Sequence, residues 1–216
     1  MTAARGRTGR PPLTEERKAE IRLEIARAAV ELFVAQGVSA TTGEQIGQAV
    51  GVSARTVWRY FPSKESCVSP LFSEGIDLIA ALLREWAPDQ PLEELFERTL
   101  ATEIGIISGP ERATVGDLVR LTRTEPGLRA VWLQTYDEAE PAFAHALAER
   151  AGLPRDGFEP AIRAAMFNAA LRAAVEHHAW HGAARGTDRA TDRATAETEL
   201  MQTLRSALAV AADGVK

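Results

Sequence analysis

Between Gly51 and Ser66 the chain reads GVSARTVWRYFPSKES, and six side chains there are equipped to grip an anion. Arg55 and Arg59 carry guanidinium forks, Lys64 an ammonium, Thr56 and Tyr60 hydroxyls, and Trp58 an indole N–H. A guanidinium can bond guanine O6 and N7 together, which discriminates by about 1–3 kcal/mol against the wrong base. Ammonium and hydroxyl groups suit phosphate oxygens, which set register and carry no sequence information. Polyanion recognition is therefore the chemistry this stretch supports.

Other constellations are weaker. In EHHAWH, residues 176–181, His177 and His181 stand one helical turn apart beside Glu176 and His178. Such a pair can hold zinc, but no further ligand can be placed near it, and helix C-termini favour histidine for their dipole. No metal is expected. Cys67 is the sole cysteine, which excludes an internal disulfide and a Cys-built zinc site; it reads as a small core residue. There is no nucleophile–base set and no glycine-rich phosphate loop, so neither an enzyme nor a cofactor is expected. An enzyme carrying a DNA-binding appendage stays a distant alternative.

The elements that must position these residues are helices. Ala, Leu, Glu and Arg dominate and strand alternation is missing, so the fold class is all-α. A first helix runs from Thr14, its N-cap, to Gln36, with Ile21, Ile25, Ala28 and Leu32 as its stripe. Gly37 ends it, and Val38 packs back on the last turn. Two short helices follow, 43–50 and 54–60. Thr42 and Gln45 have capping-box spacing, Ser53 caps the second helix, and Gly51 stands at the bend. Ile46, Val50, Val57 and Phe61 are their inward residues. This is a helix-turn-helix arrangement. Longer helices are expected over 63–86, 91–107, 111–124, 126–151 (with Pro141 kinking or splitting it), 158–181 and 196–212. GAARGTDRATDRAT, with its doubled Thr-Asp-Arg-Ala, reads as a solvated connection.

Charge divides the chain. The net charge is −5, yet residues 1–66 hold ten Arg and Lys against seven acids, while the remaining 150 hold fifteen against twenty-three. A basic end on an acidic body suits a polyanion partner for that end alone. The opening MTAARGRTGRP reads as a flexible basic arm, in which Arg7 and Arg10 beside glycines could follow a minor groove. No signal-peptide core is seen, and no apolar run is read as long enough to cross a bilayer, so the expected location is cytoplasmic.

The run TTGEQIGQAVGVSARTVWRYFPSKES resembles the DNA-binding signature of the tetracycline-repressor (TetR) family. The matching positions are Thr41, Thr42, Ile46, Val50, Gly51-Val52-Ser53, Thr56, Val57, Trp58, Tyr60-Phe61 and Ser63-Lys64-Glu65. Three positions depart from the pattern. Gly47 stands where the family usually has alanine, at a cost to that helix of about 1 kcal/mol. Trp58 replaces a tyrosine, and Glu44 brings a carboxylate towards the presumed DNA face. Carried over, the resemblance implies that the second short helix enters the major groove. Arg55 and Arg59 would then read bases, and Thr56 would touch a thymine methyl or a phosphate. Thr42, Trp58, Tyr60 and Lys64 would contact the DNA backbone. A Lys64 near a helix start opposes the helix dipole, a conflict that a DNA phosphate would resolve. Trp58 can alternatively pack against the first helix.

For the rest of the chain the resemblance implies a dimerisation surface and a small-molecule pocket. The Ala-rich 158–181 helix and the Leu200, Leu204, Leu208, Ala211 stripe look like half of a two-fold four-helix bundle. Phe96, Trp132, Tyr136, Phe143, Phe167, Asn168 and Arg172 combine aromatic bulk with a few polar groups, as a ligand site does; the competing reading is ordinary core. The expected organisation is an arm over 1–13, a helix-turn-helix domain over 14–62 and a ligand-binding and dimerisation domain over 63–216. The expected function is a homodimeric repressor released from a palindromic operator by a small-molecule effector. A regulator without an effector, whose body serves only dimerisation or a protein partner, is the alternative.

Overall fold

The computed structural model describes residues 14–86, 115–181 and 189–213, with side chains of the last helix described over 198–211. The chain forms α1 (Glu15–Gln36), α2 (Gly43–Ala49), α3 (Ala54–Tyr60), a 3-10 turn (Glu65–Val68), α4 (Ser69–Glu85), α5 (Val115–Leu121), α6 (Pro126–Ala151), α7 (Phe158–His181) and α8 (Arg189–Asp213). The predicted 91–107 helix, Phe96, Arg7 and Arg10 lie outside the described residues.

The local signals act as their chemistry requires. The Thr14 hydroxyl accepts from the Arg17 N–H and starts α1. Thr42 and Gln45 complete a reciprocal capping box on α2, and Ser53 accepts from the Thr56 N–H at the start of α3. Each bond satisfies a helix-end N–H that would otherwise lack a partner. Gly37 and Gly51 both have positive φ, 87° and 72°, at the turns that follow α1 and α2.

Ile25, Ala26, Ala29, Val30 and Phe33 of α1 meet Ile46, Val57 and Phe61 in one core. That core continues through Cys67, Val68, Leu71, Phe72 and Ile76 into the body. The helix-turn-helix therefore shares its apolar interior with the 3-10 turn and α4. In the body, α7 packs against α5, α6 and α8, and α4 packs against α6.

Four sequence expectations change. The predicted 63–86 helix is a 3-10 turn followed by α4, because Ser63 and Ser66 tie the entry with mutual side-chain-to-backbone bonds. Residues 65–85 are also long and apolar enough to cross a membrane. Leu71, Phe72, Ile76, Ile79, Leu82 and Leu83 are nevertheless buried within the protein, as in a core helix. Pro141 does not split α6, which runs unbroken past it. Finally, α8 begins at Arg189, inside the stretch expected to be a solvated connection. Its Thr, Asp and Arg residues do not oppose helix strongly enough to delay the start.

Candidate nucleic-acid interface

Val57 and Phe61 anchor α3 in the core, at 0% and 3% exposure. Helical spacing then turns Arg55, Trp58 and Arg59 outward, where all three are exposed. The Arg59 guanidinium lies 5.0 Å from the Tyr60 ring centroid, a cation–π contact that orders it along the helix. The Thr56 hydroxyl is 3.0 Å from Ser53 Oγ, at the cap. Thr42 is exposed, although its hydroxyl accepts from the Gln45 N–H. Glu44 is exposed in the first turn of α2.

Trp58 packs against Gly43 of α2. A Cβ built on Gly43 would stand 2.0 Å from Trp58 Cζ2, so the indole covers the glycine face directly. Trp58 keeps 43% exposure and serves as both packing and surface. Gly47 has a comparable reason. Its Cβ would fall 2.6 Å from the Val52 carbonyl oxygen, while Val52 donates to the Gly47 carbonyl at 2.8 Å. The turn closes on bare backbone at that point, which corrects the view that Gly47 merely loosens α2.

Lys64 also departs from expectation. Its Nζ donates to the carbonyls of Val38 at 2.6 Å, Thr41 at 3.1 Å and Ser39 at 3.4 Å. An ammonium has three protons, so all are directed at the α1–α2 loop. In this geometry Lys64 clips the base of the helix-turn-helix, and none of its protons is left for a phosphate. Neighbouring Glu65 packs its Cγ against Gly127 at the start of α6, where a Cβ would come within 2.8 Å. Adjacent residues thus hold the reading unit on one side and the body on the other.

The body candidates sort along the seam between α6 and α7. Trp132 Nε1 donates to Glu176 Oε1 at 2.8 Å. Arg172 reaches the same oxygen at 3.3 Å, and Arg129 pairs with it more closely. Glu176 is 6% exposed, so its charge is kept in the interior by three donors. Asn168 Nδ2 donates to the Tyr136 carbonyl at 3.0 Å and to Glu140 Oε2 at 3.1 Å. The Trp132 ring touches Phe72 and Tyr136, with centroids 4.7 and 4.6 Å away. Phe143 and Phe167 form a separate edge-to-face pair at 5.3 Å. Burial, followed by the Glu176 charge, pushes the Tyr136 phenol far up, so it stays protonated.

No sequence pattern marks Arg129 as part of this seam, and sequence places Glu176 only beside the histidines. The i,i+4 spacing of Arg172 and Glu176 was the legible signal; Arg129 joins only through the α6–α7 crossing. His177 and His181 stack at 4.6 Å, with His181 Nδ1 3.1 Å from the His177 carbonyl oxygen. Among the described residues no three metal-capable side chains converge.

Comparison with known proteins bears on this arrangement. Residues 25–70 match the family model described as bacterial regulatory proteins, tetR family, and residues 90–216 match the MftR C-terminal domain model. The HTH-type transcriptional regulator TcmR of Streptomyces glaucescens is 34% identical over 168 residues, covering 75% of this chain and 74% of that protein. AcrR of Shigella flexneri, also an HTH-type transcriptional regulator, is 25% identical over 154 residues, covering 66% and 71%. Among solved structures, Salmonella enterica GusR superposes with a TM-score of 0.53 at 20% identity, covering 92% of this chain and 99% of that one. The TetR-family repressor FadR of Thermus thermophilus, solved with lauroyl-CoA, gives 0.52 at 23% identity, covering 90% and 95%. Motif, reading-helix geometry and both halves of the sequence agree: the chain is a DNA-binding transcriptional regulator of the TetR family.

Proposed function

We propose that the protein is a homodimeric repressor that holds a palindromic operator through α3 and is released by a small molecule bound in its body. The observation that carries the DNA half is the division of α3: Val57 is fully buried while Arg55 and Arg59 face outward. In this reading Arg55 and Arg59 take base edges, and Thr42, Thr56, Trp58 and Tyr60 set the register on the backbone. Arg7 and Arg10 follow the adjacent minor groove. Lys64 contributes from behind, by holding the α1–α2 loop. The arm spans 1–13, the reading domain 14–62 and the body 63–216. The protein works in the bacterial cytoplasm, where its DNA is.

A palindrome requires a second copy, because one reading helix covers only a few base pairs and half-sites lie about 34–36 Å apart. Support for a dimer through α7 and α8 comes from exposed apolar side chains. Phe158, Ile162 and Met166 follow one another at helical spacing on α7, at 81%, 44% and 38% exposure. Val210 on α8 is 71% exposed. In the Leu200, Leu204, Leu208 stripe, by contrast, Leu204 is buried in its own chain's core and the other two are half-buried against it.

The test is a gel shift on DNA flanking the protein's own gene, with and without small molecules extracted from the purified protein. Wild type should shift that DNA and lose the shift when extract is added. Arg55→Ala should weaken operator binding by about 1–3 kcal/mol while keeping nonspecific binding. Unchanged operator affinity in folded Arg55→Ala and Arg59→Ala would overturn the recognition assignment.

A further inference from the structure

Asn168 lies within the α6–α7 seam at 7% exposure, and its Oδ1 is buried with no hydrogen-bond partner among the described residues. The amide cannot be turned round to relieve this. Nδ2 faces two acceptors, the Tyr136 carbonyl and the Glu140 carboxylate, so the opposite orientation would set oxygen against oxygen. The unmatched group is therefore an acceptor, and its direction is set by α6 on the other side of the amide. Native interiors rarely leave such an atom unmatched, and one that persists calls for an explanation such as a ligand or a bound water.

The surrounding charges narrow the chemistry. Glu176 is already taken by Arg129, Trp132 and Arg172, and Glu140 by Asn168 itself. A charged ligand would have to displace one of these paired groups. The requirement left open is a donor, and a neutral one meets it without disturbing the network. The rings along the same two helices, from Trp132 and Tyr136 to the Phe143–Phe167 pair, are buried against one another, so the acceptor lies in apolar surroundings.

We propose that Asn168 Oδ1 is the specificity-determining acceptor of the effector site, and that the effector is a neutral molecule presenting a hydroxyl or N–H donor to it. This rests on the reading of the body as an effector site and adds to it the class of molecule and the atom that selects it. A site built around an unmatched acceptor discriminates against an analogue lacking the donor, because the acceptor then stays buried and bare. The Asn168 carbonyl oxygen needs no rearrangement of the ion network to do this.

The experiment uses a matched pair of probes, 2-naphthol and 2-methoxynaphthalene, titrated calorimetrically into the full-length protein. Wild type should bind the naphthol at least about tenfold more tightly than its methyl ether. Asn168→Leu, close in size, should remove that preference while retaining the operator shift. Should Asn168→Leu fail to fold, the wild-type preference alone decides. Equal affinity of wild type for the two probes overturns the proposal, as a water satisfying Oδ1 would produce. Binding of neither probe also overturns it, as does a preference that survives in Asn168→Leu. Release of operator by the extracted small molecules is read separately. If release persists while the probe preference is absent, the acceptor role of Asn168 falls and the effector-controlled regulator stands.

Discussion

Cys67 shows how position changes a residue's chemistry. It is fully buried, and burial, helped by the nearby Glu65 carboxylate, pushes its thiol up from 9.0 to about 12. The thiolate is the reactive form, so the folded protein should resist alkylation at pH 8, with modification following unfolding. The sign of the linkage is set by the raised value. Between the unfolded pKa, near 9.0, and about 12, the unfolded chain has released a proton that the folded chain keeps. Stability is therefore lost as pH rises through that window. Denaturant titrations at pH 7, 9 and 10 should show a smaller alkaline loss for Cys67→Ala than for wild type. An identical pH slope in the two proteins would contradict this assignment. Trp58, undecided between packing and contact from sequence, turns out to be half of a pair with Gly43, which no propensity scale encodes.

At the scale of elements, the α2–α3 unit is held by close approach more than by helix propensity. Propensity alone says that Gly47→Ala should stabilise α2 by about 1 kcal/mol. The contact with the Val52 carbonyl oxygen says the reverse, since that oxygen belongs to backbone and cannot swing aside. Gly47→Ala should lower stability by about 1–3 kcal/mol in urea denaturation, the cost of overpacking. An increase in stability would show that the turn can relax. Both ends of α1 and α3, the start of α2 and the whole extent of α7 were legible because caps, glycines and periodicity are local signals. The 3-10 entry to α4 and the early start of α8 were not, because each depends on small local free-energy differences. Lys64 belongs here too: its three carbonyl partners lie 23 to 26 residues away in sequence, which no local pattern could supply.

For the molecule as a whole, the exposed Phe158, Ile162 and Met166 face predicts association. An isologous contact places the same residues on both sides, so one substitution alters the interface twice. Ile162→Glu should leave helical content unchanged and convert the dimer to monomer in sedimentation at micromolar concentration. It should also weaken binding to the full palindrome far more than to a half-site. Dimeric Ile162→Glu would move the interface away from this face of α7.

Sequence by itself determined the helical class, the helix-turn-helix and the outward placement of Arg55, Trp58 and Arg59 on its second helix. These follow from caps, turn glycines and apolar spacing within about ten residues, where covalent proximity fixes the geometry. Tertiary structure alone decided what those residues share with the rest of the chain. It turned Lys64 inward to a loop, seated Trp58 on Gly43, joined Arg129 to Glu176 and left Asn168 Oδ1 unmatched. Each of these depends on how segments that are not neighbours in sequence pack together, which no local pattern sets.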